Sequence, residues 1–433
     1  MAPEAHLLRS ASILDSMESS SPTFPPEQSQ PPRFSRNRKV LLAGLMLFII
    51  GVVVTGLWIR SKDSKKPPVQ KTGSSQVKKT VEANNPKSIR LIASGDTIAH
   101  DALNAQAKLP DGTYDYYQFI KPLQPYFDKA QVRFCNQAVP GAGPAFGIRG
   151  YPIFNSPLEV ARDMNRLGCN VVNTGTNHTF DLGQQVIDAQ LNYWDTLPNM
   201  LAVAGANRSN EEQQKVRYFT SQGVRFAFVS YSTYSNITPP NAYGLNMYSQ
   251  AIAQVQLTEA RQKADVVLVS MRWGTEYSPA INGQQEQIAQ QLADLGADVV
   301  LGHGPHVLQP VKQLSGANGR KTLVWFSIGN FLNAQLPVQA LVSGLVVLDI
   351  DIVTKSVQPP KYLPIYMHYE WTAEEKARED LLKRRAFTMV PLDKAEDLLA
   401  RSQLGTNVTA QTDYVQKLLN QFTPVTIIDS KTY

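Results

Sequence analysis

Residues 170–183 read NVVNTGTNHTFDLG. The apolar pair Val171-Val172 runs into small and polar residues, and Asn177, His178 and Asp181 follow closely. A short apolar run bounded by such a cluster has the form of a buried strand. Polar side chains just past a strand's carboxyl end are where open α/β sheets hold their ligands. The form recurs in SGDTIAH (94–100), CNQA (135–138), MRWGTEY (271–277), GHGPH (302–306) and SIGN (327–330). Clusters at six strand ends argue for one shared site rather than for loop composition.

Between these runs the pattern changes to helical spacing. Helices are predicted over 117–129, 157–167, 184–194 and 284–295, with strands at VRFCN, LAVAG, ADVVLVSM, ADVVLG and TLVWFSIGN. VRYFTSQGVRFAFVSYS reads as a hairpin turned at Gln222-Gly223. GLVVLDIDI and PKYLPIYMHYEW continue in strand character, and the last forty residues read as helices with polar faces. Strand–helix alternation followed by late strands predicts an α/β layered fold.

The rest of the chain is organised around one apolar segment. Val40–Ile59 carries no charge over twenty residues. That length spans roughly 30 Å as a helix, one hydrocarbon core, and it lies too far from the start for a cleaved signal peptide. The expected order is a disordered Ser/Pro-rich cytoplasmic tail (1–39), a transmembrane helix (40–59), a basic flexible linker (60–88), a main domain (89–370) and a helical extension (371–433). Basic residues flank the span on both sides, so the positive-inside rule gives a near tie. A short polar tail ahead of a single span places the large domain outside the cytoplasm.

The net charge of +6 belongs to this tether. Residues 60–88 contribute +6 and residues 1–39 contribute +1, leaving −1 for the fold. A nucleic-acid protein carries its basic stripe on the folded domain, so that function class is set aside. Cys135 and Cys169, each in an apolar run, read as small buried hydrophobes rather than as a disulfide framework.

Four of the six histidines (His100, His178, His303, His306) fall in the strand-end clusters. Imidazole suits zinc and iron, and carboxylate suits harder ions. Asp, Asn and His gathered from separate strand ends form the donor mix of a two-metal phosphoesterase centre. Each piece alone also reads as a turn or helix cap.

Taken in order, SGDTIAH, TNHTFDLG, RWGTEYS, GHGPHVLQP and SIGNF resemble the motifs of the CapA family of capsule or poly-γ-glutamate synthesis proteins, over residues 89–335. The resemblance implies an α/β fold, a four-layer αββα sandwich of the metallophosphoesterase-like type, preceded by a single transmembrane helix. It implies work on an anionic envelope polymer, beside polymer synthase subunits. It assigns Asp96, Asn177, His303 and His306 as metal ligands. His178 becomes a transition-state contact or leaving-group acid with Asp181 behind it, and Asn330 is the Gly-Asn-Phe asparagine.

Three positions depart from the family pattern. Asn136 is kept from an Asn-Leu-Glu motif, but Ala138 stands where the glutamate belongs. Arg272 replaces a ligand histidine, and Gly304 replaces a histidine frequent between the outer two. A guanidinium has no lone pair and cannot bind a metal. It can hold phosphate or carboxylate through paired hydrogen bonds. The expectation is a partly degraded metallophosphoesterase-like site with room for one divalent ion or none. Asn136, Arg272, Trp273, Tyr277 and Asn330 are expected to contact an anionic substrate, with Arg272 also able to serve any surviving catalysis.

Overall fold

The computed structural model describes residues 87–317 and 319–433. The expected tail and membrane span, and all but the last residues of the linker, lie outside the described residues. Among the latter, no helix is long and apolar enough to cross a membrane.

Among the described residues, fourteen strands form two sheets: β1 (Ser88–Thr97), β2 (Val132–Gln137), β3 (Val171–Asn173), β4 (Ala202–Ala204), β5 (Arg217–Ser221), β6 (Val224–Ser232), β7 (Val266–Arg272), β8 (Val299–His303), β9 (Val311–Ser315), β10 (Lys321–Trp325), β11 (Val342–Asp351), β12 (Lys361–Glu370), β13 (Arg385–Pro391) and β14 (Thr426–Ile427). The first sheet runs β13-β12-β11-β1-β2-β3-β4, with β14 also paired to β12. Its β1–β4 block is parallel, the pairs β1–β11, β11–β12 and β12–β13 are antiparallel, and β14 lies parallel to β12. The second runs β5-β6-β7-β8-β10-β9, parallel inside with antiparallel strands at both edges. The predicted Gln222-Gly223 hairpin is the β5–β6 turn.

Period-two alternation decides the layering. In β6, Phe226 and Phe228 join the core shared with the first sheet, while Ala227, Val229 and Tyr231 join a separate core. That second core contains residues of the helices Gln250–Lys263 and Gly283–Asp294. Ring contacts cross between the sheets: Phe134 of β2 meets Phe228 edge-on at 5.9 Å, and Trp325 of β10 stacks on Tyr362 of β12 at 5.6 Å. On the other face of the first sheet, Trp194 of the helix Gln184–Thr196 donates from Nε1 to Gln137 Oε1 at 2.7 Å. Both helices of the second core start at a capping side chain. Asn282 and Gln285 form a reciprocal capping box, and Ser249 accepts from the Ile252 amide.

Two expectations need correction. Cys135 and Cys169 are bonded to each other, with Cα atoms 5.8 Å apart. Strands β2 and β3 are adjacent and parallel, so Cys135 and the residue leading into β3 are neighbours in space though 34 positions apart. The segment after residue 370 is not only helical. It contributes β13 and β14 to the first sheet, so the structural domain runs on past that boundary.

Carboxyl ends of strands from both sheets meet at one edge. Gly95 allows this, because a Cβ there would lie 2.1 Å from the Gly329 carbonyl oxygen. The loop after β10 thereby crosses onto the end of β1, with Asp96 N–H donating to Gly329 O at 3.1 Å and Phe331 N–H to Asp96 O at 2.8 Å.

Candidate functional site

A cavity of about 450 Å³ opens where these strand ends meet. Asp96, Asn177, His178, Arg272, Tyr277, His303 and His306 all line it, as do His100, Glu276 and Arg384. Exposed apolar side chains, Tyr151, Tyr277, Leu336 and Leu381, stand at its walls.

The floor is a chain of buried amides whose orientation can be worked out. The Gly175 N–H donates to Asn173 Oδ1 at 2.9 Å, and Ser230 Oγ donates to the same oxygen. Asn173 Nδ2 therefore faces the other way, donating to Asn136 Oδ1 at 2.6 Å and meeting His303 Nε2 at 3.2 Å. Asn136 passes the direction on, donating from Nδ2 to Asp96 Oδ1 at 2.5 Å. Nε2 of His303 also lies 2.8 Å from Ser270 Oγ, whereas its buried Nδ1 has no hydrogen-bond partner and lies 3.8 Å from Asp96 Oδ1. Burial pushes the His303 pKa down to about 4, with Arg272 and His306 adding to the effect and Asp96 opposing it.

Asp96 accepts a second bond, from His306 Nδ1 at 2.8 Å. His306 Nδ1 also meets Asn330 Oδ1 at 3.0 Å, and Asn330 is fixed in turn by donating from Nδ2 to the Ala340 carbonyl. His306 holds this aim in a left-handed backbone, φ +63. Burial raises the Asp96 pKa. The His306 hydrogen bond and the charges of His306, His303 and Arg272 outweigh it and hold the carboxyl below its ordinary value.

Arg272 ends β7, almost wholly buried. It donates from Nε to Asn177 Oδ1 at 2.8 Å, from Nη1 to the Trp273 carbonyl at 3.2 Å and from Nη2 to the Tyr234 hydroxyl. Glu276, half exposed, lies 3.3 Å from Nη2. Gly304 makes the space: its φ is +112, and a Cβ there would sit 1.9 Å from Arg272 Nη1. Arg272 and Gly304 are thus one packing solution rather than two separate departures. Across the cavity wall, His178 Nδ1 meets Asp181 Oδ2 at 2.7 Å, an oxygen that also accepts the Phe154 N–H at 2.8 Å. Phe154 packs edge-on against the His178 ring at 4.8 Å. His100 is driven down to about 3 by burial first and Arg384 next.

The donor set does not fit a metal centre as arranged. Asp96 is committed through both oxygens, His306 through Nδ1, and Asn177 Oδ1 to a cation. No group of three or more His, Cys, Asp or Glu among the described residues is placed to hold an ion. Three residues expected to contact substrate do not reach the cavity. Trp273 is buried, donating from Nε1 to Phe326 O at 2.7 Å and stacking on that ring. Adjacent residues of a strand point to opposite faces, so with Arg272 aimed at the cavity its neighbour turns into the core. Asn136 and Asn330 stand behind Asp96 and His306 and hold them in place. Asn173, Ser230 and Ser270, which accompany His303, are polar residues inside or ending apolar strands. That pattern was a usable signal. Nothing in the sequence marks Tyr234 or Arg384.

Among curated proteins, the chain is 31% identical over 179 residues to the PGA biosynthesis protein CapA of Bacillus subtilis (strain 168), covering 40% of this chain and 44% of that protein. It is 26% identical over 182 residues to the capsule biosynthesis protein CapA of Bacillus anthracis, covering 40% and 42% respectively. The matches thus span less than half the length of these relatives. Among solved structures, a phosphatase from Mycoplasma pneumoniae overlaps 64% of this chain and 94% of its own, with 11% identity and a TM-score of 0.40. The 5'-nucleotidase of Candida albicans SC5314 overlaps 76% and 58%, with 12% identity and a TM-score of 0.37. Overlaps this loose do not bear on function. The family described as "Bacterial capsule synthesis protein PGA_cap" matches residues 90–335, the stretch that carries the strand-end clusters of the cavity; Leu336, Pro337, Leu381 and Arg384 of its lining lie beyond it. The chain belongs to that family of bacterial capsule synthesis proteins.

Proposed function

We propose that this protein serves the synthesis or export of a poly-γ-glutamate-type envelope polymer, and that its cavity binds the polymer's carboxylates rather than a dinuclear metal centre. The carrying observation is Arg272. It is a buried guanidinium, held by Asn177, Tyr234 and the absence of a Cβ at Gly304, with the half-exposed Glu276 on Nη2 where a ligand carboxylate would take its place. A guanidinium recognises a planar carboxylate through two parallel hydrogen bonds. Apolar rim residues suit the methylene stretches between the polymer's charges. The domain is held to the membrane by residues 40–59 and faces the envelope, next to polymer synthase subunits. The Cys135–Cys169 bond supports that side, because disulfides persist in oxidising compartments.

Titration of the purified protein with γ-linked glutamate oligomers tests this. Wild type is expected to bind with strong salt dependence and Arg272→Gln to lose binding. Equal affinity of the two proteins refutes the assignment.

A second reading rests on His178. Asp181 orients its ring from Nδ1, Asn236 Nδ2 lies 3.4 Å from Nε2, and the residue lines the cavity, the pairing a general acid or base makes with an orienting carboxylate. Under this reading the protein is a metallophosphoesterase-like hydrolase. Elemental analysis paired with phosphodiester hydrolysis decides it: bound divalent metal near one per chain and turnover lost in His178→Gln support hydrolysis. Absence of both removes it.

A further inference from the structure

Arg384 lies outside the family-matched residues, just before β13, yet it lines the same cavity as Arg272. It is 4% exposed. It donates from Nε to Leu381 O at 2.8 Å and from Nη1 to Ala334 O. Aromatic rings cover its face, with Tyr369 at 5.2 Å and Trp371 at 6.0 Å from Cζ. No carboxylate among the described residues pairs with it; the acidic group acting on it is the Tyr369 phenol. The described arginines outside the cavity are less buried; Arg261 pairs with Asp298 and Arg90 with Asp349, whereas Arg133 and Arg217 donate to backbone carbonyls. A buried cation without a partner is costly unless an anion completes it. Carbonyls, aromatic rings and the Tyr369 phenol surround this guanidinium, and the residue also lines the cavity.

We propose that Arg384 is a second anion-binding residue of the cavity, so that one carboxylate-bearing chain is held at two of its charges, at Arg272 and at Arg384. The inference rests on the anion-binding reading of Arg272 and adds what that reading lacks, a reason to prefer polymer over monomer. Two fixed cations lining one pocket turn the second contact into an intramolecular event. A lone glutamate uses only one of them.

The test is calorimetric titration of the full-length protein with glutamate and with a γ-linked glutamate tetramer. Wild type is expected to bind the tetramer at least about tenfold more tightly than the monomer. Arg384→Gln should remove that advantage while leaving monomer affinity within about twofold. Arg384→Lys, which keeps the charge and most of the stem packing, guards against a folding defect and should retain part of the advantage. If Arg384→Lys and Arg384→Gln both bind the tetramer like wild type while Arg272→Gln does not, the inference falls and the anion-binding reading stands. If wild type binds neither glutamate ligand, both fall. Tighter binding of a phosphate oligomer of matched charge overturns the carboxylate assignment.

Discussion

Replacing Gly304 by alanine probes the packing that defines this site. Two costs can be worked out. At φ +112 an L residue is strained, which costs about 1–3 kcal/mol. The new Cβ would also lie 1.9 Å from Nη1 and 2.5 Å from Cζ of Arg272, so the guanidinium must move. It cannot move without loosening its bonds to Asn177 Oδ1 and Trp273 O. Hydrogen bonds to a charged group are worth about 1.5–3 kcal/mol each, so losing one brings the total to about 4 kcal/mol. Urea unfolding of wild type, Gly304→Ala, Arg272→Ala and the double variant separates the costs. Without the guanidinium the clash disappears, and Gly304→Ala should then cost only its backbone strain. The expected coupling is about 2 kcal/mol. Additivity within about 0.5 kcal/mol would refute the claim that the two residues share one space.

Removing the disulfide with Cys135→Ala/Cys169→Ala should cost about 3–4 kcal/mol by loop-closure entropy, read as a lower melting temperature; native protein with two free thiols would contradict the bond. Acidification should destabilise the metal-free protein. The buried His303 ring has a pKa of about 4 against an ordinary 6.5, so the unfolded chain takes up its proton first. Stability is full above about pH 7 and falls as pH drops from 6.5 toward 4, by about 2 kcal/mol at pH 5. His303→Gln should reduce that slope by the His303 share, leaving the share of the buried His100 ring, whose pKa is about 3, and an unchanged slope denies His303 the role. Asn173→Ala should cost about 2–3 kcal/mol. Asn173→Asp should cost no less, since a carboxylate cannot donate to Asn136 or His303; wild-type stability in that variant would reverse the deduced direction of the amide chain.

Residues near strand ends were the readable part of the site. Asp96, Asn177, His178, Arg272, His303 and His306 converge because parallel strands deliver their carboxyl ends to one edge, and apolar runs ending in polar clusters advertise that geometry. What sequence could not supply was orientation and partnership. Trp273 looked like a neighbour of Arg272 in function, but alternation along the strand sends it into the core. Asn177 looked like a ligand, but its oxygen accepts from the Arg272 guanidinium. Arg384 required knowing that the segment after 370 folds back as β13, and the Cys135–Cys169 bond required the β2–β3 pairing. Both are long-range facts with no local signature.

The amide chain beneath the cavity has a kinetic consequence. Asn136 and Asn173 belong to the first sheet, and Ser230 and His303 to the second, and they are bonded to one another across the gap. The two sheets are riveted where a hinge would otherwise open. Ligand entry is then left to side chains at the mouth, such as Tyr151 and Leu381, which reorient in picoseconds to nanoseconds rather than microseconds to milliseconds. Association with a polymer end should therefore be single-phase, with an observed rate that climbs linearly with ligand concentration and shows no plateau from a slow closing step.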